Sequence, residues 1–318
     1  MKIDYNNYEI IVIDYKTPLI EEYLKNFDFI KLVKLEGEDV GPSQMHNISL
    51  KYVDSNSKYI VFLDNDTILD NKWLKELVIC IESDNNIGAV QSKLLLMDQK
   101  TLNSKGNLCN YLAVGWPNGY AESDNQEIGY KEISFPSGAS MIVRKDIVHI
   151  IDGYDKDFFI YVDDLDFGLR IRLAGYKIYY CPKSIAYHNY KFLKNKRNFY
   201  YLNRNRLFTF FKLYNKKTYF YLIPPLIIYE IGLFFYAFLN SYICILIKIY
   251  SDTIRSINNI KFKRRQIKNY RRINDADLIK ILGSKIDFID LKNPGIIFIL
   301  NPILSLWKIL ILKIIRER

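Results

Sequence analysis

Two aspartates follow a predicted strand directly, and their spacing suits the binding of a metal ion and a diphosphate. The run Tyr59–Leu63 is short and apolar, as buried strands are, and Asp64 and Asp66 come immediately after it. Residues two apart in an extended segment share one face, so both carboxylates can approach one ligand. Carboxylate oxygens are ligands that Mg²⁺ and Mn²⁺ accept. The alternative is that these acids only cap a helix or lie in a solvated turn.

A second acidic group opens a predicted helix. Asp163, Asp164 and Asp166 lie in its first turn, where the helix dipole stabilises negative charge. Structural roles would explain two of them, because Asp163 can cap the helix and Asp166 can pair with Arg170 one turn later. Neither the helix cap nor the ion pair requires an acidic residue at position 164. A carboxylate there could take the proton from an attacking hydroxyl group during an inverting group transfer.

His188 is one of three histidines in the chain and follows a predicted strand. A single histidine more often belongs to a core or a surface than to a metal site. The acidic groups upstream reverse that expectation here, because imidazole and carboxylate groups can share one divalent metal ion. The sequence therefore favours His188 as a metal ligand.

Strands and helices alternate around these residues, which predicts an α/β fold with a mixed, mostly parallel sheet flanked by helices. Such sheets bind ligands at the carboxyl ends of their strands, where Asp14 and the Asp64–Asp66 pair lie. Residues 98–131 are polar and irregular, as expected of a segment that crosses an active site. The predicted strands are residues 9–14, 29–35, 59–63, 88–96, 138–143 and 176–181, and the predicted helices are 18–26, 43–54, 73–82, 145–151 and 163–174.

The composition indicates a folded protein of the cytoplasmic compartment. A chain of 318 residues can form one large domain or two smaller parts, and 49% apolar residues exclude disorder. The four cysteines lie far apart without metal-ligand spacing, so we expect buried, reduced thiols. The polar N-terminus does not resemble a secretory signal.

Positive charge is concentrated in two blocks. Residues 191–217 hold nine Lys or Arg residues and no acidic residue. Residues 248–272 also hold nine Lys or Arg residues, with one acidic residue. Such blocks suit anionic lipid or nucleic acid, and a solvated basic face is an equally common explanation. Both blocks flank apolar segments and show no recognisable nucleic-acid module, so no binding to nucleic acid is expected.

Two apolar segments follow the predicted α/β domain. Residues 219–247 are marginal as a membrane span, which needs about 20 apolar residues, and residues 295–307 are too short. Both flanks of the first segment are basic, and basic flanks tend to stay on the cytoplasmic side of a membrane. Both ends of the segment are therefore expected on that side. We therefore expect a re-entrant or in-plane helical pair with a hinge near Pro224–Pro225. A single span and a soluble packing helix are the alternatives.

Several motifs, taken in their order, resemble the family 2 glycosyltransferases of GT-A fold, close to the rhamnosyltransferase-like branch. The resemblance covers roughly residues 8–215 and is specific for the family, not for a sugar. The motifs are Val61–Asp66, Gly88–Gln91, Ser137–Arg144, Gly153–Asp155, Phe159–Arg170, Ala174–Ile178 and His188, with a looser continuation through Arg204–Leu207.

The resemblance implies that a sugar moves, with inversion, from a nucleotide-diphosphate sugar to a hydroxyl group of a glycan or lipid-linked acceptor. It also implies assistance by Mg²⁺ or Mn²⁺. The positions that match the family's functional residues are the general base Asp164; Asp14, Asp64 and Asp66 for the nucleotide and donor; Ser137, Gly138 and Asp163 on the acceptor side; and Asp66 and His188 for the metal.

The chain departs from the family at its N-terminus. Members normally have a strand, a nucleotide-contacting loop and a helix before the strand that matches residues 9–14, whereas eight residues precede it here. The missing strand would lie between strands 9–14 and 59–63. These two must then pair directly or accept a strand from a partner chain, because buried unpaired backbone groups are costly. A start codon assigned too late, a truncated paralogue and complementation by another chain each explain the pattern.

These observations predict three parts: a glycosyltransferase domain of residues 1–190, a basic amphipathic linker helix of residues 191–217, and a hydrophobic and basic membrane-associated region of residues 218–318. The predicted function is an inverting, metal-assisted glycosyltransferase at the cytoplasmic face of a membrane. The alternative is a catalytically silent, glycosyltransferase-like subunit that binds a partner or a glycan, because the first nucleotide-binding strand is missing.

Overall fold

The computed structural model describes residues 3–37, 40–125, 129–191, 193–288 and 294–316. In chain order the strands are β1 Ile10–Asp14, β2 Ile30–Lys34, β3 Tyr59–Leu63, β4 Thr67–Leu69, β5 Ile87–Leu96, β6 Leu102–Ser104, β7 Asn107–Cys109, β8 Gly115–Pro117, β9 Lys131–Glu132, β10 Ser140–Arg144 and β11 Lys177–His188. The α-helices are α1 Ile20–Leu24, α2 Gly41–Ser49, α3 Trp73–Glu82, α4 Lys145–Ile150, α5 Asp163–Leu173, α6 Lys196–Leu213, α7 Lys216–Leu239, α8 Ile243–Arg255, α9 Ile257–Tyr270, α10 Asp275–Ile281 and α11 Asn301–Arg316.

The central sheet is mixed and has the strand order β3-β10-β5-β11-β4, with β6 on β5 and β9 on β11. β5 and β11 are parallel, and β10 is antiparallel to both β3 and β5. β4 and β9 are antiparallel to β11, and β6 is antiparallel to β5, so the sheet is mixed as predicted but its described strand pairs are not mostly parallel. Side chains alternate along β10, so that Met141 and Val143 pack with α4 and α5 whereas Ile142 packs with α3. Helices therefore cover both faces of the sheet, which explains why its strands are apolar throughout.

The largest difference from the predicted elements is the length of β11. The prediction ends this strand at residue 181, before Pro182, but it continues to His188. The pairing with β5 shifts its register between Cys181 and Ile185, and such a bulge accommodates a proline that cannot donate to the ladder. The extension brings His188 opposite Thr67 of β4.

β1 and β2 form a parallel pair that is separate from the central sheet. In β3, Tyr59, Val61 and Leu63 direct their backbone groups away from β10, and no strand among the described residues pairs with that edge. In β1, the backbone groups of Ile11 and Ile13 likewise point away from β2. The direct pairing of the two strands, one of the predicted outcomes, does not occur.

The beginnings of β1 and β3 are nevertheless held near each other. Glu9, which precedes β1, accepts a hydrogen bond of 2.7 Å from the backbone N–H of Asp54, in the segment that leads into β3. Lys31 of β2 pairs with the same glutamate. The two free strand edges therefore belong to neighbouring parts of the molecule.

The C-terminal helices pack against α5 in one apolar cluster. It joins Leu165, Leu169 and Leu173 of α5 to side chains from α6, α7, α8, α10 and α11. Within the basic block 191–217, Arg206 and Lys212 are buried in ion pairs, so part of this block does not face solvent. The three-part domain division stays a prediction.

The predicted hinge at Pro224–Pro225 is wrong. α7 is continuous through both prolines, and the chain turns at residues 240–242 before α8. Pro225 has no N–H for the carbonyl of Tyr221, one turn earlier, and the indole N–H of Trp307 donates to that carbonyl instead (2.9 Å). Packing between α7 and α11 thus satisfies the group that the proline leaves free.

Two helices are apolar and long enough to cross a membrane by length and composition, Lys216–Leu239 and Gly295–Ile315. The expectation that residues 295–307 are too short to span a membrane is wrong. The π-helical segment Gly295–Leu300 runs directly into α11, and α11 continues past Lys308. The expectation of four buried cysteines is also wrong for Cys244, which is exposed, whereas Cys80, Cys109 and Cys181 are buried.

Candidate functional site

Three of the predicted residues form a compact group at the carboxyl ends of β3 and β11. The ligand atoms of Asp64, Asp66 and His188 lie within 4.8 Å of one another. His188 Nε2 is 3.3 Å from Asp66 Oδ1 and 3.9 Å from Asp64 Oδ2. Asp64 and Asp66 reach this group because the chain turns after β3, where Thr67 Oγ1 donates to the carbonyl of Asp64 (2.7 Å).

A buried asparagine orients the histidine of this group. Asn103 Oδ1 lies 2.9 Å from Nδ1 of His188. An amide oxygen accepts, so Nδ1 carries a proton, and Nε2 is the ring atom directed at the two aspartates. Burial lowers the pKa of His188, although the charge of Asp66 acts in the opposite direction. A neutral imidazole with a free Nε2 is the form that binds a metal ion.

The charges in this group favour a bound cation. The pKa of Asp64 is raised to about 6, mainly by burial and then by the charges of Asp66 and Asp163. The Asp64 side chain is still 43% exposed, so water screens part of this effect. Two carboxylates and one imidazole are suitable ligands for Mn²⁺ or Mg²⁺. A bound cation would relieve the repulsion between the two carboxylates.

Asp164 is held from two sides at the start of α5. The backbone N–H of Gly138 donates to Oδ2 (2.7 Å), and the Tyr154 hydroxyl donates to Oδ1 (3.1 Å). The pKa of Asp164 is raised well above its ordinary value by burial and by the charge of Asp163, while the Gly138 N–H opposes the rise. A carboxylate with a raised pKa is better matched to accepting a proton near neutral pH.

The residues predicted for the acceptor side lie around Asp164. Asp163 accepts a hydrogen bond from Oγ of the fully buried Ser43 (2.9 Å), and burial raises its pKa. The backbone N–H of Ser137 donates to Oε1 of Gln91 in β5 (3.0 Å). This bond fixes the turn that presents Gly138 to Asp164. Asp166, in contrast, pairs with Arg170 at 2.8 Å, as its structural role predicted.

Asp14 lies at the carboxyl end of β1, as predicted, but its carboxylate is used locally. Its Oδ1 accepts a hydrogen bond from the backbone N–H of Thr17 (3.1 Å), which forms a tight turn after the strand. In the described part of the chain, no hydrogen bond joins Asp14 to Asp64, Asp66 or Asp164. Its predicted role in nucleotide binding stays a prediction.

The group of Asp64, Asp66 and His188 lies near Asp164. The charge of Asp163 contributes to the raised pKa of Asp64, and the charge of Asp64 contributes to that of Asp164. Such coupling requires the carboxylates to be near one another. One acidic cluster therefore combines a place suited to a cation with a carboxylate suited to accept a proton.

Sequence reasoning missed Ser43, Asn103 and Tyr154. Tyr154 lies in the Gly153–Asp155 motif, which was recognised without a role for the tyrosine. Asn103 lies in β6, within residues 98–131, which the sequence predicts to be irregular and to cross the site. Ser43 comes from α2, which no pattern in the sequence connects with the acidic helix.

Comparisons with known proteins show the family of the chain and its fold. The family model described as "Glycosyltransferase like family 2" matches residues 2–206, which is more than half of the chain. The rhamnosyltransferase WbbL of Escherichia coli is 26% identical over 231 residues, which are 65% of this chain and 86% of that protein. The O-antigen chain rhamnosyltransferase WbaN of Salmonella anatum is 26% identical over 43% of this chain and 42% of its own length.

A third curated relative, the dTDP-rhamnosyl transferase RfbF of Shigella flexneri, is 21% identical over 55% of this chain and 58% of that protein. Among solved structures, GalNAc-T7 with UDP, GalNAc and Mn²⁺ aligns with a TM-score of 0.52 at 14% identity, over 67% of this chain and 43% of that one. S. aureus TarS 1-349 aligns with a TM-score of 0.50 at 14% identity, over 98% and 81%.

The predicted GT-A fold is confirmed by these structural neighbours. The relatives that are rhamnosyltransferases agree with the predicted branch. Because the family model covers the sheet, the acidic helix and His188, the chain belongs to the glycosyltransferase-like family 2 and is a glycosyltransferase.

Proposed function

We propose that this glycosyltransferase inverts the configuration of the transferred sugar, with Asp164 as the general base. The observation that supports this most directly is the fixation of Asp164 by Gly138 and Tyr154, close to the group of Asp64, Asp66 and His188. A base held beside the acceptor, opposite a leaving diphosphate, suits a single in-line displacement.

In the proposed reaction an acceptor hydroxyl attacks the anomeric carbon of the donor. Asp164 takes the hydroxyl proton as the new carbon–oxygen bond forms, and the bond to the diphosphate breaks, so the nucleoside diphosphate leaves with the electron pair. The raised pKa of Asp164 favours this proton transfer. Asp64, Asp66 and His188 would hold Mn²⁺ or Mg²⁺, which supplies positive charge for the leaving diphosphate.

For the donor we propose dTDP-rhamnose, and for the acceptor a lipid-linked glycan used in polysaccharide biosynthesis. The support comes from the relatives. One is a dTDP-rhamnosyl transferase, and another, from Mycobacterium tuberculosis, is an N-acetylglucosaminyl-diphospho-decaprenol L-rhamnosyltransferase that is 27% identical over 74 residues. That segment is 23% of this chain and 24% of the relative, so the acceptor class rests on a short match.

The test uses the full chain with dTDP-rhamnose, Mn²⁺ and a synthetic N-acetylglucosaminyl-diphospho-lipid. Mass spectrometry detects the product, and NMR of its anomeric proton reports inversion or retention. Asp164→Asn should abolish transfer while leaving donor binding intact, and Asp152→Asn, an exposed aspartate in the preceding loop, is the control. Full activity of the Asp164→Asn enzyme, or a retained configuration, would refute the proposal.

We propose that the protein acts on the cytoplasmic face of a membrane and that α7 and α11 contact the bilayer. Both helices leave large apolar side chains exposed, and the basic residues of α9 add charge suited to anionic lipid.

The side of the membrane on which α9 lies can be tested by labelling Gln266→Cys in a Cys244→Ser background, because Cys244 is the exposed cysteine among the four. Labelling from the periplasmic or external side alone would contradict the cytoplasmic assignment.

We also propose that an extended segment of a partner chain completes the sheet between β1 and β3. The unpaired backbone edges of both strands support this, since such edges bind strands readily. Slow hydrogen exchange of the Val61 and Leu63 amides in natively expressed protein is expected, together with an intact mass of 37.7 kDa. A larger mass would identify a covalently attached segment as the occupant, and rapid exchange would mean that the edge is free.

The same free edges favour a second candidate function, a silent subunit that binds a partner or a glycan. The two candidates differ in donor binding. Calorimetric titration of the full chain with dTDP and Mn²⁺ should show binding if the proposed transfer reaction takes place. Absence of binding to any nucleoside diphosphate in the presence of metal would support the silent subunit.

A further inference from the structure

The backbone directly before the acidic residues of α5 has a conformation that its side chains disfavour. Tyr161 and Val162 both have a φ of 65°. This left-handed region is uncommon outside glycine, and a β-branched residue such as Val162 suffers the larger steric conflict there. Such backbone persists only where the surrounding structure holds it. Something must therefore stabilise this turn, which sets the direction in which α5 begins.

Asn205 of α6 makes the contacts that hold the turn. Its side-chain amide donates to the carbonyl of Ile160 (3.0 Å) and to the carbonyl of Tyr161 (2.9 Å). Its Oδ1 accepts from a guanidinium nitrogen of Arg204 (3.0 Å), and the same nitrogen donates to the carbonyl of Asp157 (3.2 Å). Asn205 is fully buried, so water cannot replace these bonds.

The turn connects directly to the catalytic helix. The carbonyl of Val162 accepts the N–H of Asp166 (2.9 Å), the bond that closes the first turn of α5. Asp163 and Asp164 lie between these two residues. A rotation of the turn would therefore move both carboxylates away from their present hydrogen-bond partners.

We propose that Asn205 is a positioning residue for the transfer reaction. By holding the carbonyls of Ile160 and Tyr161, it keeps the turn left-handed and directs Asp164 towards Gly138 and the Tyr154 hydroxyl. Asn205 itself does not contact the reacting atoms. The inference depends on the proposed role of Asp164 as the base.

Other buried groups hold α6 in place, which separates the role of Asn205 from the stability of the helix. Arg206 pairs with Glu230 of α7, and Lys212 pairs with Asp155 and with Asp166 (2.7 Å to the latter). These contacts lie at different positions along α6. Shortening Asn205 should therefore release the turn while α6 stays docked.

The kinetic test compares Asn205→Ala with Asn203→Ala. Asn203 is also buried in α6, but among the described residues its side chain donates only to the Phe199 carbonyl of the same helix. Asn205→Ala should lower kcat for rhamnosyl transfer about tenfold or more, because a misplaced base loses reactive geometry. Its KM for dTDP-rhamnose should change little, since Asp64, Asp66 and His188 are untouched. The Asn203→Ala enzyme should keep its kcat.

Glycine at position 162 tests the mechanism of the effect. Glycine adopts a φ of 65° without steric cost, so the turn of Val162→Gly needs less support from Asn205. Adding Asn205→Ala should then reduce kcat by a smaller factor than it does in the wild-type background. An equal factor in both backgrounds would overturn the proposal, as would a KM increase with unchanged kcat.

Hydrogen exchange supplies a readout that does not depend on activity. Asn205→Ala should accelerate exchange of the Asp166 amide at the start of α5 but not of the Leu173 amide at its end. Asn205→Leu, which keeps the volume and removes the hydrogen bonds, gives the same comparison if the alanine variant does not fold. Unchanged exchange at Asp166 would overturn the inference. Absence of transfer by the wild-type enzyme would instead refute the proposed function, and the exchange result would stand independently.

Discussion

The backbone N–H of Gly138 lies 2.7 Å from Oδ2 of Asp164, and a side chain at position 138 would collide with the same carboxylate. A Cβ built on Gly138 would lie 2.7 Å from Oδ1 of Asp164. Contacts this short do not occur for real Cβ atoms, so the carboxylate or the loop would have to move. Glycine at this position thus allows the closest approach of the loop to the base.

Gly138→Ala should reduce kcat about 100-fold, because displacing the base by about 1 Å is enough for a loss of this size. Donor binding should persist, since the Asp64, Asp66 and His188 group is not touched. Gly129→Ala is the control, because a Cβ at Gly129 meets nothing within 4 Å. Steady-state kinetics of both variants make the comparison, and equal kcat values would show that the approach of Gly138 to Asp164 is unimportant for transfer.

Asn103→Ala should weaken Mn²⁺ binding about 10- to 100-fold, the usual effect of removing a partner that orients a ligating histidine. Without Asn103 the Nδ1 proton of His188 loses its acceptor, and the ring can rotate or change tautomer. Titration of metal-free protein with Mn²⁺, followed by the EPR signal of the free ion, measures the affinity directly. Asn125→Ala, an exposed asparagine in the same segment, should bind Mn²⁺ normally. Equal affinities of the two variants would exclude this role for Asn103.

Asp155 should make folding stability depend on pH. Burial alone would raise its pKa, but the ammonium groups of Lys212 and Lys263 outweigh burial and hold the pKa well below its ordinary value. A depressed folded-state pKa contributes stability that is present above about pH 4 and is lost as the pH falls below it. Asp155→Asn should therefore lower the free energy of unfolding by about 3 kcal/mol at neutral pH, and by less under acid conditions.

Urea unfolding between about pH 7 and about pH 3.5 checks this prediction. The difference between wild type and Asp155→Asn should shrink on the acid side of that range. Asp152→Asn provides the reference for an exposed aspartate in the same loop. A difference that stays constant with pH would show that the charge of Asp155 is not what stabilises the fold.

Replacing Phe234, Phe235 and Phe238 of α7 together by serine should lower partitioning into anionic vesicles at least about tenfold. All three side chains are exposed, and fully burying one phenylalanine is worth about 1.5–3 kcal/mol. The matched control replaces Tyr23, Phe27 and Phe29, three exposed aromatic residues near β2. Vesicle flotation measures the bound fraction. Equal losses in both triple variants would mean that α7 has no special contact with lipid.

The sequence by itself determined the α/β character, most element positions and the acidic residues at the ends of the elements. These features are local, because apolar runs define strands. Acids that follow β3 lie at the carboxyl end of that strand, and acids that open α5 lie in the first turn of that helix, whatever the rest of the chain does. For this reason Asp64, Asp66 and Asp164 could be named without any knowledge of their distances.

Only the tertiary structure decided which side chains meet. His188 joins the two aspartates because β11 continues past Pro182 through a register shift. α7 stays helical through its two prolines, and the Trp307 indole donates to the Tyr221 carbonyl, to which Pro225 cannot donate. The partners of Asp164 and its neighbour come from distant segments, Tyr154 and Ser43. Contacts of this kind depend on packing between elements that no local pattern encodes.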